Sequence, residues 1–157
     1  MVLAGQTIQP GQGHAAGRQL LQQLYREHVG GDFPEIQRTE RGKPCFVGSP
    51  WHFSITHTKK HVFCALSEYP IGIDAEELDR SIHLRLAEKI LSPGERRQYL
   101  QAQDPRLALL RFWVLKEATA KCSGRGWGDY LYHTDFCMED ARIQIKDGCL
   151  LAVIEEK

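Results

Sequence analysis

Two acids stand one residue apart in the stretch Ile71-Gly72-Ile73-Asp74-Ala75-Glu76-Glu77. The stretch alternates as a β-strand does. Ile71, Ile73 and Ala75 face one way, and Gly72, Asp74 and Glu76 face the other. Two carboxylates on one face repel, and one of them tends to keep its proton. A divalent cation removes that penalty. Hard oxygen ligands suit Mg²⁺, which takes one or two carboxylates together with substrate phosphates. Gly72, beside the acids, is expected to leave room for a ligand. The plainer alternative is a solvated strand face carrying two ordinary acids.

Trp113, Glu117 and Lys121 follow at i, i+4 and i+8, the spacing of one helix face. Glu117 is then a candidate third metal ligand, and Lys121 a candidate partner for phosphate charge. A surface ion pair between the two, worth a few tenths of a kcal/mol, is the alternative. The aromatic neighbours Phe112 and Trp113 speak for a cleft rather than open solvent.

These side chains need elements to hold them. A helical stripe of Leu20, Leu21, Leu24 and Tyr25 runs from about His14 to Val29 and stops at Gly30-Gly31. Met1 to Gly13, rich in Gly and Gln, is expected to be loosely ordered. Short strands are expected at Glu35–Thr39, Trp51–Thr58 and His61–Ser67, with turns at Arg41–Pro44 and Lys59-Lys60. After the acidic strand, Ser81 can cap a helix over Ile82–Leu91. Ser92-Pro93-Gly94-Glu95 has the form of a capping box opening a second helix. Asp104-Pro105 opens a third, which Gly124 ends. Tyr130–Met138, Ala141–Ile145 and Cys149–Ile154 read as strands, the last two joined by a Lys146-Asp147-Gly148 turn.

The 157 residues suit one domain, or two small halves sharing a core. The formal net charge is zero, so no global field argues for nucleic acid. No apolar run approaches the ~20 residues of a membrane helix, and Met1 to Gly17 has no secretion-signal pattern. Five widely spaced cysteines without a C-x-x-C favour reduced thiols and a cytoplasmic protein.

Four motifs resemble those of a known family. Ile71-Gly72-Ile73-Asp74-Ala75-Glu76 is similar to the V/I-G-I/V-D-V/I/A-E signature of the 4′-phosphopantetheinyl transferases of the surfactin-synthetase type. Phe112 to Lys121 resembles their F-x-x-x-K-E-A/S-x-x-K signature. Gly42-Lys43-Pro44 matches their G-K-P turn. Phe53-Ser54-Ile55-Thr56-His57-Thr58 resembles F-N-x-S-H-S, with Ser54 in place of Asn and Thr56 and Thr58 in place of the serines. The resemblance covers about Arg18 to Ile154. It implies an α+β fold of two pseudo-symmetric halves, each strand–helices–strands, packed as an intramolecular pseudo-dimer and therefore a monomer. Residues 1–70 would form the N-terminal half, with the coenzyme A contacts, and 71–157 the C-terminal half, with the metal and catalytic residues.

The implied reaction transfers the 4′-phosphopantetheine arm of coenzyme A to a serine of an apo acyl or peptidyl carrier protein and releases adenosine 3′,5′-bisphosphate. Asp74, Glu76 and Glu117 would hold Mg²⁺, and Lys121 would neutralise a phosphate. Lys43, Thr56 and His57 would take the 3′-phosphate. Glu117 is the first choice of base and Glu95 the second, although local geometry favours the capping box as the role of Glu95. The basic residues that the family carries ahead of its first helix have no clear counterpart, with His14 and Arg18 as substitutes. One rival reading is a catalytically weak homologue that binds coenzyme A or a carrier protein. Another is a zinc hydrolase using His52, His57 and His61. The i, i+4 spacing of the last two needs a helix, whereas Phe53–Thr58 alternates as a strand.

Overall fold

Two antiparallel three-stranded sheets, each backed by a helix, carry the chain. The computed structural model describes residues 1–157. In the first sheet β5 (His61–Ser67) lies between β1 (Val2–Thr7) and β4 (His52–His57). In the second, β8 (Cys149–Glu155) lies between β6 (Ile71–Glu77) and β7 (Ile143–Lys146). Both sheets therefore share one connectivity: the first strand pairs with the last, and the last pairs with the one before it. Helix α1 (Gly13–His28) packs on β5 and β4, and α4 (Pro105–Ser123) packs on β6 and β8. A small ribbon of β2 (Ile36–Arg38) and β3 (Pro44–Phe46) completes the first half.

The N-terminal residues are ordered, contrary to expectation. Val2 to Thr7 pair in register with Leu66 to His61. Their own pattern is too weak to announce a strand, and β5 supplies the template. Gly5 is required there, because a Cβ would stand 2.5 Å from the Phe63 ring.

Two further expectations are corrected. Ser81 caps no helix; the chain forms a short 3₁₀ turn at Leu84–Leu86 and one helical turn, α2 (Ala87–Ile90). Arg106 instead pins the turn that follows β6, donating to the carbonyls of Leu78 and Arg80. Residues 130–138 are not a strand. Asp129–Tyr132 forms α5, and the N–H groups of Phe136 and Met138 donate to the side chains of Glu95 and Gln98 instead of to a ladder. Both acceptors sit on α3 (Pro93–Gln101), whose capping box is present as expected.

Helix α4 keeps the bounds that its end signals predict. Asp104 accepts from Leu107 N at 3.0 Å, and Gly124 closes the helix at φ 67°. One face buries Leu109, Phe112, Leu115 and Ala118 in the second half's core. Each large apolar side chain among them contributes about 1.5–3 kcal/mol through burial.

The halves meet twice. Phe63 and Ala65 of β5 pack on Ile71, Ile73, Ala75, Cys149 and Leu151 of the second sheet. Beside that core, β4 runs along the free edge of β6. There, Ser54 Oγ accepts from Ile73 N at 3.0 Å and Thr56 Oγ1 from Ala75 N at 3.4 Å. Side-chain hydroxyls thus satisfy edge N–H groups that a ladder would otherwise serve.

Candidate functional site

Strand alternation sends Asp74 and Glu76 toward α4, and helical spacing returns Trp113, Glu117 and Lys121 toward β6. Asp74 is 6% exposed. Its Oδ1 accepts from Lys121 Nζ at 2.6 Å and from Thr56 Oγ1 at 3.2 Å. Its Oδ2 is buried with no partner. Glu76 is ion-paired to Arg80 and accepts from Trp113 Nε1 at 3.3 Å. Glu117 accepts from Trp127 Nε1 at 2.6 Å. Lys121 is thus paired with Asp74, not with Glu117 as the surface-pair alternative requires.

Burial pushes the Asp74 carboxyl above its ordinary range, against the pull of the Lys121 ammonium. Burial also raises Glu117, against the Trp127 hydrogen bond, and repulsion from Asp74 adds to the rise. The two acids therefore feel each other across the β6–α4 contact. The fit to a divalent cation can be judged from these atoms. The donors are all carboxylate oxygens, one of them is buried without a partner, and burial penalises the charge on two of the three acids. A hard cation suits each of those features, but the ligand oxygens of the three acids do not all lie within 4.8 Å of one another, so they would have to close on it.

Gly72 plays a different part from the one expected. A Cβ there would stand 2.1 Å from Ala118 O and 2.3 Å from Cys122 N. The space it leaves is filled by the backbone of α4, not by a ligand. The glycine sets how closely the helix approaches the acidic strand.

A cleft follows the seam. A cavity of about 380 Å³ is lined by the polar side chains of Asp74, Glu76, Thr56, Lys121, His14, Arg18, Arg38 and His57 and by Pro44, Phe53 and Ile55. A second cavity of about 300 Å³ shares Lys121, Pro44, Phe53 and Ile55 with it and adds Lys43, Glu117 and Trp127. A third, of about 860 Å³, shares His14, His57 and Glu76.

The structure gathers Asp74, Glu76, Thr56, His57 and Lys121 around one cavity but does not bring Lys43 to His57. Lys43 Nζ donates to Cys122 O at 2.5 Å, at the carbonyl end of α4, and burial lowers its pKa. His57 is exposed and packs over Gly13 and edge-on to His14, with ring centroids 5.1 Å apart. Thr56 points the other way, to Asp74 and Lys121. Glu95 lies outside the cleft altogether. It is 0% exposed, pairs with Lys116 Nζ at 3.0 Å, and accepts from Ser92 N and Phe136 N. Every demand on that carboxylate is met inside the fold.

Several participants escape the sequence reading. Arg80 reaches Glu76 from four residues on, but across the turn that ends β6 and not along a helix, and Trp127 reaches Glu117 through the turn after α4. For Trp127 the only signal is the Gly124–Gly126 reversal, where both glycines have positive φ. Lys116, within the same motif as Glu117, is fully buried and donates to Leu131 O at 2.5 Å. It ties α5 to α4 and does not face the cleft.

Comparison with known proteins bears on this arrangement. The model of the 4′-phosphopantetheinyl transferase superfamily matches residues 70–148. The chain is similar to the 4′-phosphopantetheinyl transferase gsp of Aneurinibacillus migulanus, 36% identical over 96 residues, which are 58% of this chain and 38% of that protein. It is similar to the 4′-phosphopantetheinyl transferase Sfp of Bacillus subtilis (strain 168), 34% identical over 90 residues, 55% of this chain and 40% of the relative. It is also 31% identical over 140 residues to the 4′-phosphopantetheinyl transferase AcpT of Escherichia coli (strain K12), covering 82% of this chain and 69% of the relative. The match thus spans about two fifths of the first two relatives and about two thirds of the third.

Proposed function

The chain belongs to the 4′-phosphopantetheinyl transferase superfamily, and on that premise we propose that it moves the 4′-phosphopantetheine arm of coenzyme A onto a serine of an apo carrier protein. The observation that carries the reading is the Asp74 carboxylate, buried at the seam with one oxygen bare and the other held by Lys121. That is an arrangement prepared for a cation and for phosphate charge. The shared connectivity of the two sheets supports reading the halves as an intramolecular pseudo-dimer with the substrate cleft between them.

Asp74, Glu76 and Glu117 would hold Mg²⁺, which when bound supplies charge neutralisation to the pyrophosphate. Lys121 would pass from Asp74 to a phosphate oxygen, and Thr56 would follow the same oxygens. Glu117 would accept the serine proton. The serine oxygen forms the new P–O bond, and the bond to the adenosine side breaks, releasing adenosine 3′,5′-bisphosphate. His57, with His14, Arg18 and Arg38 around the same cavity, would face the 3′-phosphate. Lys43 would join them only by leaving the Cys122 carbonyl.

The test is incubation with coenzyme A, Mg²⁺ and an apo carrier protein, followed by mass spectrometry of the carrier. The expected result is a phosphopantetheine mass increase that Asp74→Ala and Glu76→Ala nearly abolish. A carrier left unmodified across fatty-acid, polyketide and peptide types would favour the non-catalytic homologue. Near-normal turnover in either variant would remove the acids from the metal site.

A further inference from the structure

His61 opens β5, Glu77 closes β6 and Cys149 opens β8. Glu77 and Cys149 are register partners, so their side chains leave the second sheet together. His61 comes to them from the first sheet. Its Nδ1 lies 3.3 Å from Glu77 Oε1 and 3.4 Å from Cys149 Sγ. All three donor atoms lie within 4.8 Å of one another. We propose that these residues form a second metal site, distinct from the Asp74 carboxylates and suited to Zn²⁺ or a similar transition-metal dication.

Three features carry the assignment. The first is donor chemistry. An imidazole, a carboxylate and a thiol match zinc, whereas Mg²⁺ takes oxygen almost alone. The second is spacing. Tetrahedral zinc, with bonds of about 2.0–2.1 Å to N and O and about 2.3 Å to S, sets its N and O donors roughly 3.3 Å apart and its N and S donors roughly 3.5 Å apart. The separations around His61 Nδ1 are within about 0.2 Å of those values, the tolerance expected of a real site. The third is support and access. Thr58 Oγ1 donates to Glu77 Oε1 at 2.5 Å and orients the carboxylate, as outer partners of metal ligands do. Thr58 and Glu77 also line the 860 Å³ cleft, which gives a metal a way in.

Binding displaces the Cys149 thiol proton to solvent and uses the Nδ1 lone pair of neutral His61, leaving one position for water. Because the ligands come from both sheets, the metal ties β5 to β6 and β8. This site does not depend on the proposed transfer reaction.

The full chain, reduced and in excess Mg²⁺, is titrated with Co²⁺ and then with Zn²⁺. One equivalent of Co²⁺ is expected to produce thiolate-to-metal charge-transfer absorption that Zn²⁺ bleaches, and Zn²⁺ raises the melting temperature. Cys149→Ser removes the absorption. His61→Ala weakens affinity by more than about 100-fold, since even the loss of an outer partner costs about 10–100-fold. Asp74→Ala leaves the absorption intact. Absence of the band at stoichiometric Co²⁺ overturns the proposal. So does a band that survives His61→Ala, which would place the metal on another cysteine such as Cys45 or Cys137. Should Cys149→Ser fail to fold, His61→Ala and a zinc X-ray absorption spectrum showing one sulfur ligand decide the matter.

Discussion

Asp74 offers two oxygens, and only one is used. Lys121 and Thr56 share Oδ1 while Oδ2 stays bare and buried. An unpaired buried oxygen of this kind costs about 1–3 kcal/mol, so the fold carries a penalty that a bound cation would relieve. Glu117 shows the same tension in its titration. Its folded-state pKa lies above its ordinary 4.5, so the folded protein holds the proton more tightly than the unfolded chain does. Its charge therefore costs stability as pH rises through the folded value, and the cost vanishes below about 4.5. Glu117→Gln keeps the Trp127 hydrogen bond and removes the charge. Metal-free Glu117→Gln is expected to melt at or above the wild-type temperature at neutral pH, with the difference closing on acidification. Its turnover should fall steeply, and Mg²⁺ should stabilise it less than wild type. Thermal melts at several pH values, with and without Mg²⁺, check all of this; a Gln variant less stable at neutral pH than at pH 4 relative to wild type would refute it. The four residues at the centre were legible because two periods place them: alternation for Asp74 and Glu76, and four-residue spacing for Glu117 and Lys121. Arg80 and Trp127 were not: the four-residue spacing of Glu76 and Arg80 falls on a strand end and a turn, where it signals nothing, and Trp127 is reached through a turn.

At the scale of elements, the contact between β6 and α4 decides whether those residues meet. Gly72 admits the helix backbone, and no side chain could shift to make room for a Cβ 2.1 Å from a carbonyl oxygen. Gly72→Ala must push α4 away from the acids. Overpacking of this sort costs about 1–3 kcal/mol and at times more. The expected outcome is a lower denaturant midpoint together with weakened Mg²⁺ binding, read by urea unfolding and metal titration. Unchanged metal affinity in a destabilised variant would mean that the helix position does not set the site. Helices α1, α3 and α4 and strands β4, β5, β6 and β8 were readable, since each carries its own apolar pattern or end signals. Strand β1 depends on its partner β5, and the loop 133–138 depends on α3 side chains. Neither dependence is written in the local residues. By local pattern alone, β1 is a loose terminus and the loop is a strand.

For the whole molecule, the seam couples the halves. Thr56 accepts from Ala75 N, donates to Asp74 and meets Lys121 at 3.5 Å, so one hydroxyl joins both halves and the site. Thr56→Val keeps the shape and strands the Ala75 N–H, at a cost of about 1–3 kcal/mol. Unfolding should remain a single step, because Phe63 and Ala65 share a core with the second sheet. Trp51 reports on the first half, and Trp113 and Trp127 on the second. Variants keeping only one set of tryptophans should give coincident midpoints in wild type and in Thr56→Val; separated midpoints would show two independent units.

The hydroxyl seam also bears on aggregation. A three-stranded sheet has two open edges, each a template on which another chain can add a strand. Here the two sheets turn β4 and β6 toward each other, and the hydroxyls of Ser54 and Thr56 occupy N–H groups that a foreign strand would need. Of the edges left, β7 is four residues long and carries Lys146, and β1 ends in Gln6 and Thr7. Short strands and polar ends are poor templates for fibre growth. The arrangement that builds the cleft thus also withholds the edges from which fibres would start.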